Sequence, residues 1–364
     1  MHIKTVLFQG RKGWELSNDR LAVTILAGGG HIVGLTLAEG SAPNPYWVPQ
    51  WKSIEPWQYR PQDAKKYEGK LLASIMGHNL CLSGFGNPSE PEQKAGLGCH
   101  YEAPVARWAL LRKKVTAGSV VAEFACELPV ARMQFVRRIS MRRGATVARI
   151  HEQLANMARI DTPFTLCHHV TFGRPFLQPD VTVFDMPATR GHTFPGEFSP
   201  TQRLKPDTAY VWPQGPGRKG GKIDLRFMGQ EPNSDFHANL MNPKKPQAWF
   251  SAVNPKQGLL VAYVWNRVDF PWLGVWEENQ AHKVQPWNGK ELTRGMEFAN
   301  SPFPIGTHKA VDLGRFHGLP TFRWLPALEA VSFDYDILAA EVDHTCKGVS
   351  DISREADGYA LTIK

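Results

Sequence analysis

Between residues 108 and 156 the chain alternates with a period of two, three times in succession. Val120–Leu128 alternates around Val121, Glu123, Ala125 and Glu127. Phe135, Arg137, Ile139 and Met141 alternate with polar or small residues, and Val147–Leu154 repeats the pattern. Neighbouring side chains of an extended strand point to opposite faces, so this spacing predicts strands and is out of step with a helical turn. Pro129 and Gly144 separate the runs, which predicts three antiparallel strands joined by turns. Similar runs occur at 14–26 (with a turn at Ser17-Asn18-Asp19), Ile32–Leu37, Trp249–Val253, Leu259–Trp265, Leu273–Trp276, Ala330–Leu338 and Tyr359–Ile363. The 28 prolines and 32 glycines leave little room for long helices. The expected fold class is therefore all-β, with many short strands. No internal repeat or composition break divides the chain, so residues 1–364 read as a single domain, a size that all-β folds reach.

Two glycine-rich stretches resemble nucleotide loops and fail the test. Gly28-Gly29-Gly30 leads into a strand, and Val33 stands where a dinucleotide fingerprint needs its third glycine. Gly215–Lys222 lacks the Gly-Lys-Ser/Thr ending of a phosphate loop. The formal charge is +8, but the basic residues fall in scattered clusters such as Arg112-Lys113-Lys114, Arg142-Arg143 and Lys244-Lys245. They read as solvated strand ends, and no nucleic-acid partner is expected. The five cysteines (Cys81, Cys99, Cys126, Cys167, Cys346) contain no Cys-x-x-Cys pair. That spacing argues against a disulfide framework or a zinc site and for a reducing, cytoplasmic location. No stretch approaches the ~20 apolar residues of a membrane helix, so no membrane partner is expected.

Three stretches carry candidate chemistry. Leu166–Gly173 holds two adjacent histidines, His168 and His169, in apolar surroundings. On a strand only one can face a given pocket, and an imidazole mounted on a stiff strand suits proton transfer. Residues 74–108 bring together His78, Asn79, His100, Glu102 and Arg107, groups that hydrogen-bond hydroxyls, in what reads as glycine-punctuated loops. Glu297, in Arg294-Gly295-Met296-Glu297-Phe298, is a carboxylate among apolar neighbours, and desolvation would make it a base with a raised pKa. Twelve tryptophans add aromatic surface. The segment 41–70, with Trp47, Trp51 and Trp57, either walls a sugar site or packs down a long loop.

In this order the pieces resemble the aldose 1-epimerase (galactose mutarotase-like) superfamily, from about Trp14 to the C-terminus. The Gly28–Leu37 turn and strand, His100-Tyr101-Glu102-Ala103 with Arg107-Trp108, Asn156 and Pro163 leading to His169-Val170-Thr171-Phe172, and Gly295-Met296-Glu297-Phe298 carry the likeness. Tyr101 and Phe298 stand where that family usually has glycine and proline. The resemblance implies a large antiparallel β-sandwich (a supersandwich) with few short helices and a sugar cleft. It implies anomer interconversion with Glu297 as base, His169 as acid and His100 hydrogen-bonding the ring oxygen or a hydroxyl. His78, Asn79, Glu102, Arg107 and Trp276 are the expected substrate contacts, with Asp235 as the binding aspartate. No metal or organic cofactor is implied. The expected partner is a small carbohydrate, and the expected state a monomer or homodimer. Another carbohydrate reaction, a lyase or glycoside cleavage using Tyr101 and Glu102, and a non-catalytic sugar-binding role are the alternatives.

Overall fold

The computed structural model describes residues 1–38, 42–356 and 358–364; Ser41, which begins the aromatic-rich segment, lies outside them. The period-two runs are strands. Ser119–Leu128, Met133–Arg142 and Val147–Asn156 pair antiparallel in chain order. Val120, Ala122, Phe124, Cys126 and Leu128 are buried, and the residues between them are less so, because only one face meets the core. These strands belong to an eight-stranded sheet, which packs against an eleven-stranded sheet. Phe124, Phe135, Phe250 and Phe333 from the first sheet meet Leu16, Val23, Phe172 and Phe298 from the second in one core. Each such side chain contributes roughly 1.5–3 kcal/mol by leaving water.

Each sheet has a second, outward face. On the eight-stranded sheet a C-terminal hairpin, Val349–Arg354 with Tyr359–Ile363, packs Val349 and Ile352 onto Trp249, Leu260 and Leu338. On the eleven-stranded sheet the covering is made of loops and short helices, among them Lys70–Ser74, Glu90–Lys94 and Gly306–Leu313. Glu90–Lys94 had a legible start: Ser89 and Glu92 form a capping box around its first turn. Among the described residues no helix is long and apolar enough to cross a membrane.

The Gly28–Gly30 hinge turns between two strands with Gly29 and Gly30 at positive φ. A Cβ on Gly30 would lie 2.3 Å from the Trp108 ring, so the glycine is needed for packing as well as for backbone freedom. One expectation fails here. His78–Leu82 is a fully buried strand, not a loop. Its paired neighbours on the sheet, and not the preceding glycine, decide its conformation.

Candidate active site

Leu166–Gly173 is the central strand of the eleven-stranded sheet, flanked by His78–Leu82 and Leu292–Ala299. Alternation sends His168, Val170 and Phe172 into the sandwich and His169 and Thr171 to the outer face. The register then builds the site row by row. His169 stands opposite Asn79 on one side and Glu297 on the other, and Glu297 stands opposite Gly274. The next row is Thr171, Gly295 and Trp276. His169 Nε2 lies 3.1 Å from Glu297 Oε1, and His169 Nδ1 lies 2.9 Å from Thr171 Oγ1.

Both members of the pair are almost wholly removed from water. Burial holds the Glu297 carboxyl well above the ordinary carboxylate range. Burial also holds the His169 imidazole well below its ordinary value. Desolvation disfavours the charged form of each, which favours a neutral imidazole beside a protonated carboxyl. The Glu297 hydroxyl then faces His169 Nε2, and His169 Nδ1–H donates to Thr171.

Gly295 makes this contact possible. A Cβ there would stand 2.6 Å from Glu297 Oε1 and 3.2 Å from His169 Cε1. Gly295→Ala is expected to push the carboxyl aside and lower kcat about 10²-fold, since misplacing a reacting group by about 1 Å costs that much. Thermal unfolding should change little, because the displaced atom is the end of a flexible side chain. A variant with wild-type kcat would show that the spacing of the pair does not matter.

His100 approaches from the loop over the sheet. Its ring centroid is 5.5 Å from that of His169, and Phe85 stacks on its other side at 6.0 Å. The Gly86 N–H donates to His100 Nδ1 at 3.2 Å, which leaves Nε2 to carry the ring hydrogen. His100 and Tyr101 have φ of 60° and 65°, a costly region for non-glycine residues. The strain is held by His100 N–H to Gly86 O, Tyr101 N–H to Gly98 O, and a Tyr101 hydroxyl between Glu92 and Thr307. Tyr101 thus occupies a left-handed position that a glycine would fill without strain.

These groups open onto a cavity of about 940 Å³. Its wall includes His100, His169, Glu297, Trp276, Glu102 and Arg107. Arg107 is exposed and lies 4.9 Å over the Trp57 ring. Glu102 is on the wall, but its carboxylate accepts from Val130 N–H and Ala131 N–H. With the Tyr101 hydroxyl also engaged, the pair expected to serve lyase or glycoside chemistry is committed elsewhere. Trp47 packs down its loop, stacked on Trp287 and bonded to Glu291, while Trp276 and Trp287 reach the cavity wall.

Three expected contacts are not on the wall. His78 turns into the sandwich, where Nδ1 lies 3.2 Å from the Tyr263 hydroxyl and Nε2 lies 3.3 Å from His168 Nδ1. Asn79 shares the row of His169 but is fully buried beneath the surface, with the Cys81 thiol on its Oδ1 at 3.8 Å. Asp235 lies on Asn233–Met241, where its neighbour Phe236 faces the cavity and alternation turns Asp235 away. Its carboxylate accepts the Arg203 and Leu204 N–H groups. The sequence reading missed Thr171, Phe236, Phe85 and Trp287. The first was readable as the position two after His169; the others come from distant strands and loops and left no local signal.

Among the described residues no group of three or more His, Cys, Asp or Glu is placed to hold a metal ion. The sandwich, with the His169–Glu297 pair on two adjacent strands of its eleven-stranded sheet, has the fold of the aldose 1-epimerase and galactose mutarotase-like proteins. Among solved structures it is similar to a galactose mutarotase-like protein from Clostridium acetobutylicum, with 11% identity, TM-score 0.62, and coverage of 94% of this chain and 99% of that one. A Klebsiella pneumoniae protein carrying the provisional name aldose 1-epimerase is 12% identical, with TM-score 0.66 and coverage of 94% and 84%. A galactose mutarotase related enzyme from Lactobacillus acidophilus is 12% identical, with TM-score 0.55 and coverage of 93% and 100%. No protein-family model matches the chain, and no curated protein matches its sequence.

Proposed function

We propose that this protein is an aldose 1-epimerase-like isomerase that interconverts the anomers of a reducing sugar. The observation that carries this reading is the His169–Glu297 pair, 3.1 Å apart at the floor of a cavity with His100 beside it. A cyclic hemiacetal opens when its anomeric hydroxyl loses a proton and its ring oxygen gains one. A neutral imidazole and a protonated carboxyl side by side can do both. His169 Nε2 takes the hydroxyl proton while Glu297 protonates the ring oxygen. The ring C–O bond breaks and an aldehyde forms. Rotation about the first carbon–carbon bond presents the other face, and the ring recloses with the two roles exchanged. The direction of both pKa shifts thus reverses, for the opening step, the roles expected from the resemblance. His100, whose ring also meets the Cys81 and Cys99 thiols, turns its Nε2–H to a sugar hydroxyl. These steps use side chains of this chain alone.

Polarimetry or exchange NMR on a panel of aldoses tests the reading. Faster equilibration than in buffer for at least one sugar is expected, and none for any sugar would overturn it. The pH profile is a second check. The working state needs His169 unprotonated and Glu297 protonated. Activity should fall on the acid side as His169 gains a proton, at a pH below the ordinary 6.5 of imidazole. It should fall on the alkaline side as Glu297 loses its proton, at a pH above the ordinary 4.5. An acid limb of kcat/KM lying above 6.5 would contradict the assignment.

A further inference from the structure

A sugar hydroxyl that enters a protein must find a partner, because an unpaired buried hydroxyl costs most of its hydration. The cavity wall has few partners to offer at depth. Glu68, Lys70, Asn87, Gln93, Arg107 and Glu127 are exposed and so belong to its mouth. Glu102 and the Tyr101 hydroxyl are engaged with their own neighbours. Besides the indole N–H groups of Trp276 and Trp287 and the Cys99 thiol, that leaves His169, Glu297 and His100, the groups of the reaction itself.

The space around the pair is filled by rings. Trp276 meets His169 edge-on at 5.6 Å. The Phe236 ring crosses Gly274 beside Glu297: a Cβ on Gly274 would lie 2.7 Å from Phe236 Cζ and 3.4 Å from Glu297 Cβ. Phe85 stacks on His100 and lies 6.2 Å from Phe236. The strand that supplies Phe236 has polar groups, but Asp235, His237 and Asn239 are on its other face, bonded among Arg203, Tyr210 and one another.

We propose that the substrate is a deoxy sugar, a reducing sugar that lacks a hydroxyl on the edge entering against Phe85 and Phe236. The inference rests on the anomer-interconverting reading of the preceding section. The anomeric hydroxyl and ring oxygen have His169, Glu297 and His100. A substituent flanking them on the Phe85 and Phe236 side meets aromatic carbon, where a methyl group or hydrogen fits and a hydroxyl is left without a partner.

The test compares kcat/KM for matched pairs with the unmodified protein: glucose with 2-deoxyglucose, glucose with 6-deoxyglucose, and galactose with 6-deoxygalactose, each corrected for its rate in buffer. At least one deoxy sugar should exceed its parent by about tenfold or more, the cost of one unpaired hydroxyl. An excess above about threefold in any pair supports the inference, and at most about threefold in every pair overturns it. Acceleration of the parents as fast as their partners removes this inference and leaves the isomerase reading standing. No acceleration of any sugar removes both. Phe236→Asn, which offers a hydrogen-bonding amide to that edge, should shift the ratio toward the parent sugar.

Discussion

Glu297→Gln is expected to lower kcat for anomer interconversion about 10²–10⁴-fold, the contribution of one positioned acid–base group. The amide is close in size to the carboxyl and keeps a place opposite Gly274, so the sheet should be undisturbed. What it lacks is a transferable proton. His169→Asn should cost about as much, since the imidazole is the other half of the proposed exchange. The two losses should not add: a pair sharing one proton works as a unit, and removing either member removes most of what the unit does. Polarimetry on both single variants and the double variant measures this, with circular dichroism to establish that each is folded. Either single variant retaining activity within about tenfold of the parent would remove that residue from the chemistry.

A large loss of stability is expected on the other side of the same strand. His168 enters the sandwich and lies 3.2 Å from Glu152 of the opposite sheet. Glu152 also accepts from Arg137 Nε at 2.6 Å and the Tyr335 hydroxyl at 3.3 Å, and the chain of contacts continues through His78 and Tyr263 to Tyr46. Arg137, Glu152 and His168 are fully buried. Burial alone would raise the Glu152 pKa, but His168 and Arg137 outweigh it and hold the carboxyl at about 2. The folded pKa is lowered, so its stabilisation is present above the unfolded value near 4.5 and lost as pH falls toward 2. Glu152→Gln leaves the Arg137 charge buried without its partner and should cost about 3–5 kcal/mol. His168→Asn, which removes a neutral or weakly charged member, should cost about 1–3 kcal/mol. Urea unfolding at neutral pH measures both. A loss below about 1 kcal/mol for Glu152→Gln would mean that water or another group replaces the carboxylate.

The alternation of Val120–Leu154 determined by itself that these residues are strands, because period two is a local property of the extended chain. The same rule split His168 from His169, and the structure has them on opposite faces of the sheet. Gly295 could be seen beside Glu297 in the sequence, although not that its missing side chain is what the pair requires.

Depth and partnership were decided only in three dimensions. His78 and Asp235 have the chemistry of sugar contacts, and both lie on strands whose other face meets the cavity side. A strand's sequence says which residues share a face, but not which face finds the cavity. That is set by the neighbouring strands, here 90 residues away for His78 and His168. Glu102 and Tyr101 were spent on Val130, Ala131, Glu92 and Thr307, partners that no local pattern announces. The row Asn79, His169, Glu297, Gly274 is assembled from four strands that the chain visits far apart. Register across a sheet is fixed by the packing of whole strands, and so the His169–Glu297 pair exists only once the sandwich has closed.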